Sequence, residues 1–213
     1  MRTRLRLPRI YPITDARISQ ISHAEQVTLL SDAGATFVQL REKNLPVLDF
    51  YNDVKAALTV ARQRDVTLII NDRADVALAA GAPGVHLGQD DLPPEAARNL
   101  LGDDAIVGFS THNVAQAIAA AEFPVDYIAI GPIFETGTKA NPDPVVGLDG
   151  LRAVRKAIGE LSLVAIGGIT IENAASVIEA GADSVAVISA LLSGGPTEIS
   201  RRYRALNHNL SRG

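Results

Sequence analysis

Two basic residues and an amide alternate in the stretch QLREKN, and their spacing predicts an anion site. Gln39, Arg41 and Lys43 are each separated by one residue. Because alternate side chains of an extended chain point to the same side, two cations and an amide would share one face. Such a face could hold a phosphate or a pyrophosphate. A solvated strand end in which Glu42 pairs locally with its neighbours explains the same charges, so this stretch alone leaves both readings open.

Carboxylates follow two further apolar runs. Asn71 and Asp72 come directly after VTLII, and Asp90 and Asp91 come shortly after GVHL. Oxygen ligands of this kind suit Mg²⁺, which commonly takes one or two carboxylates together with substrate phosphates. Helix capping is the alternative, because Asp and Asn are favoured at the N-cap. We predict that Asp75 is such a cap, and one residue of the DD pair stands where another helix is predicted to begin.

A hydroxyl-rich stretch, FSTHN, ends a fifth apolar run. Ser110 and Thr111 offer hydroxyl groups that could hold a phosphate oxygen or a ring nitrogen. Asn113 is predicted to cap the next helix. His112 is predicted to be structural rather than catalytic.

Eight apolar, β-branched runs would position these side chains. They are IYPIT (10–14), TFVQL (36–40), VTLII (66–70), GVHL (84–87), AIVGF (105–109), DYIAI (126–130), LVAIG (163–167) and SVAVIS (184–189). The segments between them have apolar residues three and four positions apart, as amphipathic helices do. Alternating strands and helices predict an α/β fold, a single (β/α)8 TIM barrel, with an open doubly wound sheet as the alternative. We expect one domain over residues 1–213, with residues 1–9 as a solvated basic extension.

The barrel prediction brings all the polar stretches to one place. In such barrels the functional residues lie on the loops at the carboxyl ends of the strands. The glycines of IGGI, after the seventh strand, allow close backbone approach, and the helix start in VISALL, after the eighth, offers free N–H groups. We therefore expect a phosphate site between Gly168 and Ser189, separate from a pyrophosphate site near Arg41 and Lys43. No Ser/His/Asp order indicates a catalytic triad.

Composition excludes several classes of protein. The chain has no cysteine, which excludes disulfides, thiolate metal sites and a cysteine nucleophile. Its net charge of −4 argues against a general nucleic-acid binder. No apolar run reaches the roughly 18–20 residues of a membrane span, and the arginine-rich N-terminus is a poor signal peptide. We predict a cytoplasmic enzyme of small-molecule substrates that binds neither nucleic acid nor membrane, and a homo-oligomer remains compatible with the sequence.

Taken in chain order, the polar stretches resemble those of the thiamine phosphate synthase family. The resemblance runs from about Tyr11 to the last helix and rests on QLREK, NDRADVA, GVHLGQDDL, GFSTH, GPIFETGTK, AIGGI and GADSVAVISA. It implies a Mg²⁺-dependent transferase of thiamine biosynthesis. Such an enzyme takes the hydroxymethylpyrimidine group from its diphosphate, releases pyrophosphate to leave a carbocation, and joins that group to the nitrogen of a thiazole phosphate.

The resemblance also implies roles for individual residues. For the pyrimidine diphosphate it implies Gln39, Leu40, Arg41, Glu42, Lys43, Asn71, Ser110 and Lys139. For the thiazole phosphate it implies Thr136, Gly137, Thr138, Gly168, Ile188 and Ser189. Asp72 and Asp91 would hold Mg²⁺. The implied catalytic group is Arg41, Lys43, Ser110 and Lys139.

Two other functions fit part of the pattern. A thiazole tautomerase would share the barrel and the thiazole phosphate site, would use an acid/base such as His112, and would typically lack the metal aspartates. A catalytically silent precursor binder would not need the pyrophosphate site. The intact stretches NDR and GQDD favour the synthase over both.

The connection GPIFETGTKANPDP, residues 131–144, is longer than a strand-to-helix link requires. Thr136 and Thr138 would meet the thiazole phosphate, and Lys139 the pyrophosphate. We therefore expect this segment to close over both substrates as a lid that excludes water. Residues 141–144 have no predicted role.

Overall fold

A computed structural model describes residues 4–137 and 143–211. Its parallel strands pair in chain order, and the last pairs with the first, so that the sheet closes into an eight-stranded barrel. The strands are β1 Ile10–Thr14, β2 Phe37–Leu40, β3 Thr67–Asn71, β4 Gly84–Leu87, β5 Ile106–Thr111, β6 Tyr127–Ile130, β7 Ser162–Ile166 and β8 Ser184–Val187. The (β/α)8 prediction is confirmed, and each predicted strand agrees with the observed one within two residues at either end.

Helices cover the outside of the barrel. They are α1 Ala16–Ser19, α2 His23–Asp32, α3 Val47–Gln63, α4 Ala74–Ala80, α5 Pro94–Leu101, α6 Val114–Ala120, α7 Gly147–Ile158, α8 Ala174–Glu179, α9 Ser189–Leu192 and α10 Pro196–Leu210. The short helix α1 was not predicted, whereas α9 begins within VISALL, where a helix start was predicted. Within the part of the chain that the structure describes, none of the helices has the length and apolar character needed to cross a membrane.

Three helix caps are predicted from the sequence, and the structure confirms one of them. Asn113 caps α6, as predicted, by accepting a hydrogen bond from the Gln116 N–H. The prediction for Asp75 is wrong, because α4 begins at Ala74 and Asp75 pairs instead with the Arg73 side chain. Pro93 stands at the N-cap of α5 with no side-chain cap, so neither residue of the DD pair caps that helix.

Two apolar layers lie on the two faces of the barrel wall. Successive strand residues point to opposite faces, so Val38 and Leu40 pack outward against the helices while Phe37 points inward. The inner layer also contains Tyr11 and Tyr127, both almost fully buried. A Cβ atom at Gly108 would lie 2.1 Å from the Tyr127 ring, so the glycine makes room for this tyrosine.

The basic N-terminal arm closes the bottom of the barrel. Leu5 and Leu7 pack against the inner apolar layer, and the Ser162 hydroxyl donates to the Leu5 carbonyl at 2.6 Å. Arg4 pairs with Glu160 and Asp183. From residue 4 onward the arm is therefore part of the fold, rather than only a solvated extension.

Candidate active site

The carboxyl ends of the strands open into a cavity of about 600 Å³. This volume is typical of a small-molecule site. Most of the residues predicted to act on substrates or metal line it, namely Gln39, Arg41, Lys43, Asn71, Asp72, Asp91, Ser110, Thr136, Gly168, Ile188 and Ser189. The structure thus brings residues from distant parts of the chain into one mouth.

Some predicted residues lie elsewhere. Leu40 is fully buried in the outer apolar layer, and Glu42 lies behind the turn after β2, so neither side chain is part of the cavity lining. Gly137 is exposed and also outside that lining. Thr138 and Lys139 lie outside the described residues, so their roles stay predictions.

The cations near β2 reach the cavity by two different routes. Because β2 ends at Leu40, strand alternation does not extend to Lys43, which enters the cavity from a turn. Arg41 Nη1 contacts Asp15 Oδ2 at 3.0 Å. Asp15 is itself fixed, since its Oδ1 accepts from the Ile18 N–H at 3.0 Å and caps α1. The Asp15 carboxylate therefore orients the Arg41 guanidinium.

Asp72 and Asp91 form the acidic side of the cavity. Asp72 has φ of 65°, a left-handed conformation that is uncommon for residues with a side chain and that often marks functional sites. Its carboxylate contacts the Lys43 ammonium. Asp91 Oδ2 accepts from the Gly88 N–H at 2.7 Å. Burial raises the pKa of Asp91, and the neighbouring Asp72 carboxylate raises it further.

These two carboxylates have the donor chemistry of a Mg²⁺ site. Mg²⁺ is usually bound by one or two carboxylates, with waters and substrate phosphates completing its shell. Among the described residues, no three His, Cys, Asp or Glu side chains converge as a ligand set. Any metal held here would therefore need oxygens from water or substrate in addition to Asp72 and Asp91.

Asn71 presents an unused donor to the cavity. The residue is 6% exposed, and its Nδ2 has no hydrogen-bond partner among the described residues. A buried polar group without a partner costs about 1–3 kcal/mol, so a ligand that accepts this hydrogen bond gains affinity.

A chain of hydrogen bonds beneath the cavity fixes Ser110. The links are Gln39 Nε2 to Tyr11 Oη at 3.1 Å, Tyr11 Oη to Tyr127 Oη at 2.9 Å, Tyr127 Oη to His86 Nδ1 at 3.0 Å, and His86 Nε2 to Ser110 Oγ at 2.8 Å. Burial lowers the pKa of His86 to about 4, so its ring is neutral at pH 7. A neutral ring has one donor and one acceptor nitrogen, and its two neighbours therefore have complementary roles.

Sequence reasoning assigned no role to Tyr11, Tyr127 or His86. All three lie inside strands, in runs of sequence that predict buried apolar strands of the barrel. The available signal was the polar side chain at an inward-facing strand position, which small barrels usually fill with aliphatic residues.

His112 lines the cavity beside the sixth strand. Its Nδ1 lies 3.0 Å from the Gly131 carbonyl oxygen and 3.4 Å from Asp143 Oδ2. The carbonyl contact assigns a proton to Nδ1, because a carbonyl can only accept. This contact agrees with the predicted structural role, which stays a prediction.

The opposite wall of the cavity has the features of a phosphate site. Gly168 has φ of 67°, and a Cβ atom there would lie 2.5 Å from the Glu135 carbonyl oxygen, so only glycine fits. Ile188 and Ser189 follow β8, and α9 begins at Ser189. The first N–H groups of a helix have no partner within it. Together with the backbone near Gly168, which lines the cavity, they could receive phosphate oxygens.

Known proteins match the chain over nearly its whole length. Residues 10–191 match a family model described as thiamine monophosphate synthase. A thiamine-phosphate synthase of Koribacter versatilis is 51% identical over 202 residues, covering 90% of this chain and 92% of that one. One of Clostridium novyi is 47% identical over 185 residues, covering 86% and 90%. A solved thiamine phosphate pyrophosphorylase of Pyrococcus furiosus has a TM-score of 0.85 at 33% identity, covering 96% of each chain.

Proposed function

Because the chain belongs to the thiamine monophosphate synthase family, we propose that it joins a pyrimidine diphosphate to a thiazole phosphate. The hydroxymethylpyrimidine carbon is transferred to the thiazole nitrogen, and the products are thiamine phosphate and pyrophosphate. One observation carries this proposal. A single cavity has cations and carboxylates on one side and a glycine and a helix start on the other, so it offers two separate anion sites.

The diphosphate is bound on the side of Arg41 and Lys43. As the bond from the methylene carbon to the diphosphate breaks, negative charge grows on the departing pyrophosphate. Fixed positive groups stabilise that charge, and Arg41 is already oriented by Asp15 before substrate arrives. A hydrogen bond from such a charged group is worth about 1.5–3 kcal/mol.

Asp72 and Asp91 hold Mg²⁺ in this proposal. Their adjacent carboxylates, with Lys43 close to Asp72, fit a divalent cation and the phosphate oxygens it would share. When bound, Mg²⁺ adds positive charge against the diphosphate and its departing product. The Lys43 ammonium can contact either the Asp72 carboxylate or a phosphate oxygen of the diphosphate.

The pyrimidine ring lies between these cations and the barrel floor. Ser110, which His86 holds in place, and the Asn71 amide, whose Nδ2 has no partner among the described residues, orient the ring. Beside the polar chain below it, the cavity wall has an apolar part that includes Ile13, Val164 and Ile166. Such a wall keeps water from the carbocation, so the thiazole nitrogen is the nucleophile that captures it.

The thiazole phosphate binds at the opposite wall. The backbone near Gly168 and the start of α9 at Ser189 receive its oxygens, and Thr136 lies on the same cavity. This arrangement holds the thiazole across the cavity from the departing pyrophosphate. The proposed contacts of Thr138 and Lys139 would complete the closure of residues 131–144 over both substrates.

The two alternative functions find no support in the relatives described above, of which two are named thiamine-phosphate synthase and one thiamine phosphate pyrophosphorylase. A tautomerase would have no need for the Asp72 and Asp91 carboxylates or for the cations beside them. A silent binder would have no need for them either.

Incubation of the protein with both substrates and MgCl₂, followed by chromatography, tests the proposal. Thiamine phosphate and pyrophosphate should form in equal amounts, and omission of either substrate or addition of EDTA should stop both. Absence of thiamine phosphate at every Mg²⁺ concentration would overturn the proposal. Isomerisation of the thiazole phosphate alone would indicate the tautomerase instead.

A further inference from the structure

The turn after β2 carries two cations into the cavity, although most of it is exposed. Residues 43–49 are all exposed, and Leu45 is 41% exposed. At the start of α3, Pro46 stands at the N-cap without a side-chain hydrogen bond. A turn of this kind is expected to move unless something fixes its backbone.

Glu42 fixes that backbone from behind. Its Oε1 accepts hydrogen bonds from the N–H groups of Lys43 and Asn44, each at 2.7 Å. The side chain is 13% exposed and does not line the large cavity. Charge-assisted bonds are about twice as strong as neutral ones. A single carboxylate oxygen therefore holds two consecutive peptide units beside a cation of the site.

His23 lies against the other oxygen of Glu42. Its Nε2 is 3.6 Å from Glu42 Oε2 and has no hydrogen-bond partner among the described residues. Its Nδ1 lies 2.8 Å from Thr14 Oγ1, and both residues are buried. If the Thr14 hydroxyl donates to Nδ1, a neutral ring must carry its proton on Nε2, directed at Glu42. His23 is anchored in turn as the first residue of α2, after the capping box of Ser22 and Glu25.

We propose that Glu42, backed by His23, is a positioning residue that sets the turn of Arg41 and Lys43 before the diphosphate binds. Glu42 then acts through the backbone and not by touching the substrate. The inference rests on the proposed function, because it requires an anionic substrate beside this turn.

The proposal predicts which kinetic constant responds. Without the acceptor, the N–H groups of Lys43 and Asn44 turn to water, and the turn must be ordered when the diphosphate binds. This ordering lowers affinity for the diphosphate in ground state and transition state alike. Such a loss raises KM and leaves kcat nearly unchanged.

Two variants of similar side-chain length separate the acceptor from the volume it fills. Glu42→Met removes the acceptor, and we expect KM for the pyrimidine diphosphate to rise about 10–100-fold. The Kd of inorganic pyrophosphate, measured by calorimetry in MgCl₂, should rise by a similar factor. Glu42→Gln keeps one oxygen for both N–H groups and should stay within about threefold of the unchanged protein. The KM for the thiazole phosphate should not change in either variant.

Glu198→Met is the matched control. It removes a carboxylate that accepts hydrogen bonds from Arg201 on α10, away from the turn and from the residues that support it. It should lower the melting temperature and leave both KM values and the pyrophosphate Kd unchanged. A purely structural role for Glu42 predicts that Glu42→Met behaves in the same way, and that result would overturn the proposal.

Hydrogen exchange on the unchanged protein gives a test that does not depend on a variant folding. The Lys43 and Asn44 amides should exchange at least about tenfold more slowly than in an unstructured chain, without any ligand. Exchange at the unstructured rate until pyrophosphate binds would overturn the proposal. If the unchanged protein makes no thiamine phosphate but Glu42→Met still weakens pyrophosphate binding, the proposed function fails and the positioning role stands.

Discussion

The two ends of the barrel both carry arginine–aspartate pairs, but the pairs are completed in different ways. At the bottom, Arg98 Nη2 contacts Asp126 Oδ2 at 2.7 Å, and the same oxygen accepts from the Val107 N–H at 2.7 Å. Arg98 also donates to the Pro124 carbonyl at 3.0 Å. The arrangement recurs two strands further round, where Arg155 contacts Asp183 at 2.6 Å. There Asp183 Oδ2 also accepts from the Leu163 N–H in β7, at 2.8 Å.

At the mouth, the charged groups keep capacity for a ligand. The Arg41 side chain contacts Asp15 through Nη1 alone, as far as the described residues go. Asn71 Nδ2 has no partner within the same ranges, and Lys43 contacts a carboxylate that also faces Asp91. Charge pairs closed by backbone groups stabilise the barrel, whereas charge pairs left incomplete beside a cavity are available to a substrate. Substitutions at the two ends should therefore change different quantities.

Arg98→Met should have the largest effect, and only on stability. It leaves the Asp126 carboxylate and several carbonyl oxygens without their partner, which should lower the free energy of unfolding by about 3–5 kcal/mol. Urea denaturation measures this loss, and kcat/KM of the folded protein should not change. Arg201→Met, at an exposed pair with Glu198, is the control and should leave the urea midpoint almost unchanged. Equal losses of unfolding free energy in the two variants would contradict the stabilising role given to the pairs at the bottom of the barrel.

Asp91→Asn should show the reverse behaviour. The amide oxygen can still accept from the Gly88 N–H, but the carboxylate proposed to hold Mg²⁺ is lost. We expect kcat/KM to fall on the order of 10²–10³-fold, as when one preorganised electrostatic group is removed. The free energy of unfolding should stay the same or rise, because a like charge facing Asp72 is gone. Full activity at ordinary MgCl₂ concentration would refute the metal assignment.

Lys43→Met should have an intermediate effect on activity. Loss of one charge-assisted contact to the diphosphate, worth about 1.5–3 kcal/mol, corresponds to roughly 10–150-fold in kcat/KM. Lys55→Met, on the exposed face of α3, is the control and should leave kcat/KM unchanged. The same loss is expected for Lys139→Ala. If Lys43→Met retained full kcat/KM, the contact with Asp72 would be a structural pair like those at the bottom.

Ser110→Ala should have the smallest effect. A neutral hydrogen bond is worth about 0.5–1.5 kcal/mol, so kcat/KM should fall about 2–12-fold. The loss should appear in steady-state kinetics with the pyrimidine diphosphate varied. A loss above about 100-fold would mean that Ser110 contacts a charged group in the transition state.

Much of the fold and the site could be predicted because the signals are local. The apolar run VTLII before Asn71 and Asp72 predicts a strand, and residues at the carboxyl end of such a strand must lie at the mouth of a barrel. The same reasoning placed Ser110 and Gly168 correctly on the cavity. It failed for Asp75, because the capping preference of aspartate does not say at which residue a helix begins. It also missed His86, because one polar residue in an apolar run does not reveal which side chains it will meet.

The sequence by itself determined the eight strands, their order, and the polar residues that follow each one. These features are encoded locally, because the spacing of apolar residues and the residue types that indicate a strand all lie within a short stretch of sequence. Only the tertiary structure decided that Glu42 turns away from the cavity to hold the Lys43 and Asn44 N–H groups. It alone also joined Tyr11 to Tyr127 across 116 positions of sequence, in the chain that reaches Ser110. Such contacts depend on the closure and register of the barrel, which set the side chains that meet across it.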